Sequence, residues 1–165
     1  MISFHITEVK PLMAKLLTNS TFDYFILKEM EIQTFTNFHV SGQFNEAFFT
    51  AEELEERGDK HFLLWSEIRG IALSIIKGNK TPNSFKIIFQ LPPKETDELI
   101  LKLAGKLKAE DVGGLYINIR FEKGELHIIT GTAIKTFTMD RTLEQEWDAG
   151  VKDILKRQGI AFEEE

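Results

Sequence analysis

The sequence predicts an α+β fold, an antiparallel sheet with helices packed on one face. Segments in which apolar residues recur at helical spacing alternate with segments in which every second residue is apolar. Short turns join the two strands of each predicted hairpin, which favours antiparallel pairing between them. The order strand, helix, hairpin, helix occurs in residues 1–79 and again in 84–160. We therefore expect one domain, 1–165, built from two units related by a pseudo-two-fold axis.

The first half begins with a strand over residues 2–6 and a helix that Thr7 caps. The apolar face of this helix consists of Val9, Leu12, Met13, Leu16 and Leu17. Residues 22–45 are rich in aromatic and β-branched side chains and predict a hairpin whose turn lies within 33–37. Residues 51–57 follow as a short acidic helix.

The centre of the chain, residues 63–93, predicts a helix, a basic turn and a strand in immediate succession. The helix has an apolar face so wide that we expect it to be largely buried; this face contains Leu64, Trp65, Ile68, Ile71, Ala72, Ile75 and Ile76. Gly78 ends the helix, and Pro82 prevents its continuation. The strand has alternating apolar residues at Phe85, Ile87, Phe89 and Leu91.

After its first strand, the second half continues with a predicted helix over residues 94–107, on the spacing of Leu99, Ile100, Leu103, Ala104 and Leu107. A strand follows Gly113, in which apolar and polar residues alternate without exception from Leu115 to Glu122. Lys123 and Gly124 form a two-residue hairpin turn. The returning strand, 125–137, changes its apolar register near Gly131, which indicates a bulge.

The final helix begins in a capping box formed by Thr142 and Gln145, and it ends at Gly159. Each half has one tryptophan near the start of its last helix, Trp65 in the first and Trp147 in the second. We expect both rings to be buried core anchors. The three glutamates at 163–165 are expected to be frayed.

Composition excludes several classes of function. The 165 residues include no cysteine, which removes disulfides, thiol nucleophiles and thiolate metal sites and is compatible with a reducing compartment. No apolar run approaches the roughly 20 residues of a membrane span, and no signal peptide precedes the first strand, so we expect a cytoplasmic protein with no membrane partner. The net charge of −6 makes general phosphate neutralisation, and hence nucleic-acid binding, unfavourable.

The basic turn is the first candidate contact site. Gly78, Asn79, Lys80 and Thr81 are similar to the end of a phosphate-binding loop, but here a helix enters the loop and a strand leaves it, the reverse of what that motif requires. We therefore expect no nucleotide site. Lys77, Lys80 and Lys86 remain candidates for contact with an anion or an acidic partner.

The sequence predicts no catalytic residue, no cofactor and no metal site. The four histidines, His5, His39, His61 and His127, lack the paired spacing of metal ligands. His39 and His127 occupy the polar phase of their strands and are expected to be exposed. A site could form from these two if the duplication brought them together.

Three stretches carry a family resemblance: MISFHITEV, TFTNFHVSGQFN and IKGNKTPNSFKIIFQL. With them the whole chain resembles a family of uncharacterised bacterial proteins of similar length, found mainly in anaerobic Gram-positive species. That resemblance implies a bacterial cytoplasmic origin and no particular activity. In topology alone, the repeated units are similar to the saddle of the TATA-binding protein and to the paired units of a sliding clamp.

Three functions remain open. The first is a non-enzymatic binding or assembly domain that holds another protein or a second copy of itself. The second is a nucleic-acid-associated module of saddle or clamp type, which would require a common sheet face for Lys28, Lys86, Arg120 and Lys135. The third is a small enzyme without recognisable motifs, which would need a pocket holding two or more of the histidines or carboxylates. The first is preferred because no catalytic motif is present.

Overall fold

The computed structural model describes residues 1–78, 80–103, 105 and 107–165. Within these residues the chain forms one antiparallel sheet of seven strands in the order β3-β2-β4-β5-β6-β1-β7, together with five α-helices. The strands are β1 (Ser3–Ile6), β2 (Ile26–Gln33), β3 (Asn37–Val40), β4 (Ser84–Gln90), β5 (Val112–Glu122), β6 (Glu125–Ile134) and β7 (Phe162–Glu164). The helices are α1 (Val9–Leu17), α2 (Ala51–Arg57), α3 (Trp65–Ile76), α4 (Pro93–Lys102) and α5 (Thr142–Arg157). The predicted α+β class is confirmed.

The core lies between the helices and one face of the sheet. Every second residue of the central strands is buried there, for example Phe85, Ile87 and Phe89 of β4. Trp65 is fully buried, its Nε1–H donates to the Leu16 carbonyl at 2.8 Å, and its ring meets Phe89 edge to face. Trp147 is 3% exposed and donates to the carbonyl of Tyr116. Both tryptophans are therefore the core anchors that their positions predicted.

Helix ends differ from the sequence predictions in three places. The N-cap of α1 is Glu8 rather than Thr7. The capping box predicted for α5 does not form, because the Asp140 carboxylate accepts hydrogen bonds from the backbone N–H and the hydroxyl of Thr142. Helix α4 ends at Lys102 instead of continuing to residue 107; Ala104, predicted within it, lies outside the described residues.

The strands also differ from prediction at two points. The register shift expected near Gly131 lies instead on the partner strand, between Val112 and Gly114. The segment expected to fray is ordered as β7, which pairs with β1 through His5 and Glu163. This edge strand therefore adds carboxylates to the sheet close to a histidine.

The predicted duplication is not confirmed. Strand β4 lies between β2 and β5 at the centre of the sheet, whereas β1, its counterpart in the first half, lies between β6 and β7 near one edge. The last helix of the first half is also less buried than expected, since Ile71 of α3 is 54% exposed. Within the described ranges, none of the helices has the length and apolar character needed to cross a membrane.

Candidate functional site

One residue from each of the seven strands contributes to a line of polar side chains across the sheet face opposite the helices. Directly paired residues of antiparallel strands point to the same face, so the line can be followed from one pair to the next. In sheet order it consists of His39, Glu31, Lys86, Arg120, His127, His5 and Glu163. We refer to these seven residues as the charged row.

The middle of the charged row is basic. Lys86 and Arg120 are direct cross-strand partners, and like charges in that position destabilise a sheet. The Lys86 ammonium is balanced by two carboxylates, with Nζ 3.4 Å from Glu29 Oε1 and 4.0 Å from Glu31 Oε2. Arg120 is exposed, and no ion pair to it is found among the described residues. Within the described part of the chain, the guanidinium of Arg120 is thus exposed and outside any ion pair.

Glu29 contacts both Lys86, in the middle of the charged row, and His39, at one end of it. Its Oε1 lies 3.3 Å from His39 Nε2 as well as near Lys86. Burial raises the pKa of Glu29, but the hydrogen bond with His39 and the charge of Lys86 outweigh burial and hold that pKa below its ordinary value. Glu29 is therefore a carboxylate held in its charged form beside Lys86 and His39.

A shallow groove opens beside the two central cations. Its volume is about 190 Å³, and its lining is Glu31, Gln33, Ser84, Phe85, Lys86, Arg120, Phe121 and Glu122. On the core side of the same two strands, the buried rings of Phe85 and Phe121 stack at 5.3 Å and pack β4 and β5 together. The groove is large enough for a compact polar group and too shallow to enclose a larger ligand.

Two histidines meet at the other end of the basic stretch. His5 of β1 and His127 of β6 are direct partners, and their rings stack with centroids 5.0 Å apart and planes inclined by 28°. Glu125 precedes His127 by two positions on β6 and so lies on the same face. One ligand atom from each of His5, Glu125 and His127 lies within 4.8 Å of the other two. This cluster was missed from the sequence.

Additional carboxylates surround the histidine pair. Glu165 Oε2 lies 3.5 Å from His127 Nε2, and Glu163 of β7 is paired in register with His5. Glu122 of β5 is the direct partner of Glu125. The histidine pair thus has several carboxylates near it, with Arg120 as its basic neighbour in the charged row.

The three lysines predicted as anion contacts do not come together. Lys77 and Lys80 are exposed in the turn after α3, on the helix side of the sheet, whereas Lys86 lies on the opposite face. Lys80 borders a cleft of about 730 Å³ between this turn and the β2–β3 turn; the cleft is lined by Thr34, Phe35, Phe38, Ser74, Ile75, Gly78, Lys80, Thr81 and Asn83. Asn79, from the loop that resembles a phosphate-binding motif, lies outside the described residues.

Only two of the four residues expected to form a basic sheet face are neighbours, namely Lys86 and Arg120. Lys28 is exposed at a register shift of β2. Lys135 follows the end of β6, eight residues beyond His127, or about 27 Å along the strand direction. The distribution that a saddle-type nucleic-acid interface requires is therefore not formed by these four side chains.

His39 and His127 do not form a joint site either. They lie in the same row, but three strands separate them, which corresponds to about 19 Å. His39 is exposed, as expected from its polar strand phase, and His127 is half-buried against His5. His61 lies apart from the sheet face, with its Nδ1 2.8 Å from Glu46 Oε1.

Comparison with known proteins gives a family and no further relative. The model of a family described as "Family of unknown function (DUF5721)" matches residues 15–163 of the chain. No curated protein and no solved structure gives a significant match. The match covers all of the charged row except His5.

Proposed function

Since the chain belongs to the family of unknown function DUF5721, we propose a function from the charged row itself: non-enzymatic binding of a compact phosphate-bearing ligand by Arg120 and Lys86. The observation that carries the proposal is the direct cross-strand pairing of two cations, one of which, Arg120, forms no ion pair with any described residue. A bound anion would pair with Arg120 and relieve its repulsion of the neighbouring Lys86. The guanidinium fork of Arg120 can donate hydrogen bonds to two oxygens of one phosphate.

The proposed ligand is small because of the acids around the basic pair. Glu31 and Glu122 line the same groove, and Glu29 lies next to Lys86. A polyanion extending across the sheet would meet these carboxylates within the screening distance of about 8 Å at physiological ionic strength. A single phosphate group is small enough to pair with Arg120 and Lys86 while meeting fewer of these carboxylates. We therefore rank a nucleic-acid ligand below a phosphorylated small molecule.

No bond-breaking step is part of the proposal. The groove is shallow and exposed, whereas chemistry on a phosphate ester requires the exclusion of water and a positioned nucleophile. The expected setting is a bacterial cytoplasm, in which phosphorylated metabolites are abundant. A chain without cysteine is compatible with that reducing compartment.

The test is a titration of the protein with inorganic phosphate and with O-phosphoserine, followed by amide chemical shifts and by calorimetry. We expect shifts centred on β4 and β5, and an affinity at least about tenfold lower in Arg120→Gln, because a charge-assisted hydrogen bond contributes about 1.5–3 kcal/mol. Lys135→Gln is the matched control, since Lys135 is also exposed but lies far from the groove. Equal affinity of wild type and Arg120→Gln, or an equal loss in Lys135→Gln, would refute the proposal.

A further inference from the structure

The second feature of the sheet face is the cluster of His5, His127 and Glu125. The two imidazoles come from adjacent strands and the carboxylate from the strand of His127, so hydrogen-bonded backbone holds all three ligand positions. Sites on regular elements hold their side chains more accurately than sites on loops. The stacked rings present their nitrogen edges side by side, with the glutamate next to them.

The donor set selects a class of ligand. Two imidazole nitrogens and one carboxylate oxygen suit first-row divalent transition metals such as Zn²⁺, whereas Mg²⁺ and Ca²⁺ prefer oxygen ligands throughout. Three protein ligands leave coordination positions for water or another molecule. Donors bound to one such ion lie at most about 4.4 Å apart, because each bond measures about 2.0–2.2 Å. The present spacing, within 4.8 Å, requires only small side-chain rotations.

We propose that His5, His127 and Glu125 bind a first-row divalent transition metal ion on the open face of the sheet. The surrounding charge supports a cation at this position, because Glu163 and Glu165 lie beside the cluster. The ion replaces the contact between His127 Nε2 and Glu165 Oε2. It also comes next to Arg120 in the charged row, so that the ion and the guanidinium form adjacent positive centres.

The test uses the full chain without affinity histidines, stripped with a chelator and titrated with Zn²⁺ by calorimetry and with Co²⁺ by visible absorption. We expect one ion per chain. His5→Gln and His127→Gln should each lose more affinity than the about 10- to 100-fold that follows the loss of a residue that only orients a metal ligand. Zn²⁺ should raise the Tm of the wild type and leave unchanged the Tm of the variant that combines His5→Gln with His127→Gln.

Two matched controls separate a metal site from general attraction to acids and histidines. Glu122→Gln removes the direct cross-strand neighbour of Glu125 and should leave affinity within about threefold, whereas Glu125→Gln should lose about tenfold or more. His39→Gln removes an exposed histidine that also contacts a glutamate, and should change nothing. Circular dichroism in chelator verifies that each variant is folded.

The outcomes are decisive in both directions. Loss confined to His5, His127 and Glu125 variants supports the site. Failure of the wild type to bind either ion, undiminished binding in His127→Gln, or an equal loss in His39→Gln overturns it. The result is also independent of the proposed phosphate function, because Arg120→Gln should retain the metal while losing phosphate, and His5→Gln should retain phosphate binding measured in chelator.

Discussion

Replacement of Trp65 by alanine tests the arrangement of the core most directly. Trp65 is fully buried between α1, α3 and the central strand β4. A tryptophan side chain buries about 150–250 Å², which at about 25 cal/mol per Å² corresponds to about 4–6 kcal/mol of transfer free energy. Partial collapse of the cavity lowers that value, and measured losses for such replacements are about 3–5 kcal/mol.

The hydrogen bond from Trp65 places the expected loss in the upper part of that range. Without the indole N–H, the carbonyl of Leu16 loses a buried partner, which adds about 1 kcal/mol. We therefore expect Trp65→Ala to lower the free energy of unfolding by about 4–5 kcal/mol. Trp65→Phe, which keeps an aromatic ring and removes the donor, should lose about half as much.

Urea denaturation followed by fluorescence measures this change, because Trp147 remains in the variant as a buried reporter. Leu101→Ala is the control; Leu101 is 84% exposed on α4, so its replacement should change stability by no more than about 0.5 kcal/mol. A loss below about 1 kcal/mol for Trp65→Ala would show that the ring is not a core anchor and would refute the packing described above.

Two further predictions concern a glycine and an ion pair. Gly42→Ala should destabilise the fold by clearly more than Gly58→Ala does in urea denaturation. Both glycines have a positive φ, which costs alanine about 1–3 kcal/mol of strain. Only at Gly42 would the new Cβ also lie 2.2 Å from a backbone oxygen. Equal losses would contradict this. Burial raises the pKa of Glu67, yet hydrogen bonds from Arg57 and from the backbone of Leu64 hold that pKa below its ordinary value. The charged form of Glu67 therefore contributes its full stabilisation of the fold above about pH 4.3, the pKa of the unfolded state. This contribution is lost as the pH falls through the lower folded-state pKa. Thermal melts should show this acid loss in wild type and a weaker one in Arg57→Met; identical profiles would refute it.

Local features of the fold follow from the sequence because their causes are local. The period of the apolar residues is enough to distinguish helices from strands, and Lys123 and Gly124 have the positive φ values that a two-residue hairpin turn requires. The prediction for α5 failed at its start because Thr142 and Asp140 are both good caps, and only the chain path determines which carboxylate or hydroxyl reaches the free N–H groups.

The two halves resemble each other in element order for the same local reason, and that order does not determine how strands pair. Strand β1 joins β6, more than a hundred residues later, and β7 then covers its free edge. The alternating pattern of residues 2–6 is equally compatible with a central or an edge position, because β1 buries only one of its faces. Pairing between distant strands is decided by the packing of the whole core, which no short pattern reports.

Of the four residues expected to share a basic sheet face, two are neighbours in the structure and two are not. The reason is geometric. Alternation assigns Lys86 and Arg120 to the polar face, and they are neighbours in the structure. It assigns Lys135 to the same phase, but phase carries no information on position along the strand, and Lys135 lies beyond the end of β6. Residues that share a face form a site only when their register also matches.

Part of the histidine cluster was nevertheless accessible from the sequence. The two-residue turn at Lys123 and Gly124 sets Glu122 opposite Glu125, and counting back from it brings Arg120 opposite His127. Glu125 and His127, two positions apart on one strand, then share the face of Arg120. The missing step was His5, since its contact with His127 depends on the pairing of β1 with β6. Motif searches look for metal ligands at short spacings, whereas this cluster joins ligands 122 positions apart through sheet register alone.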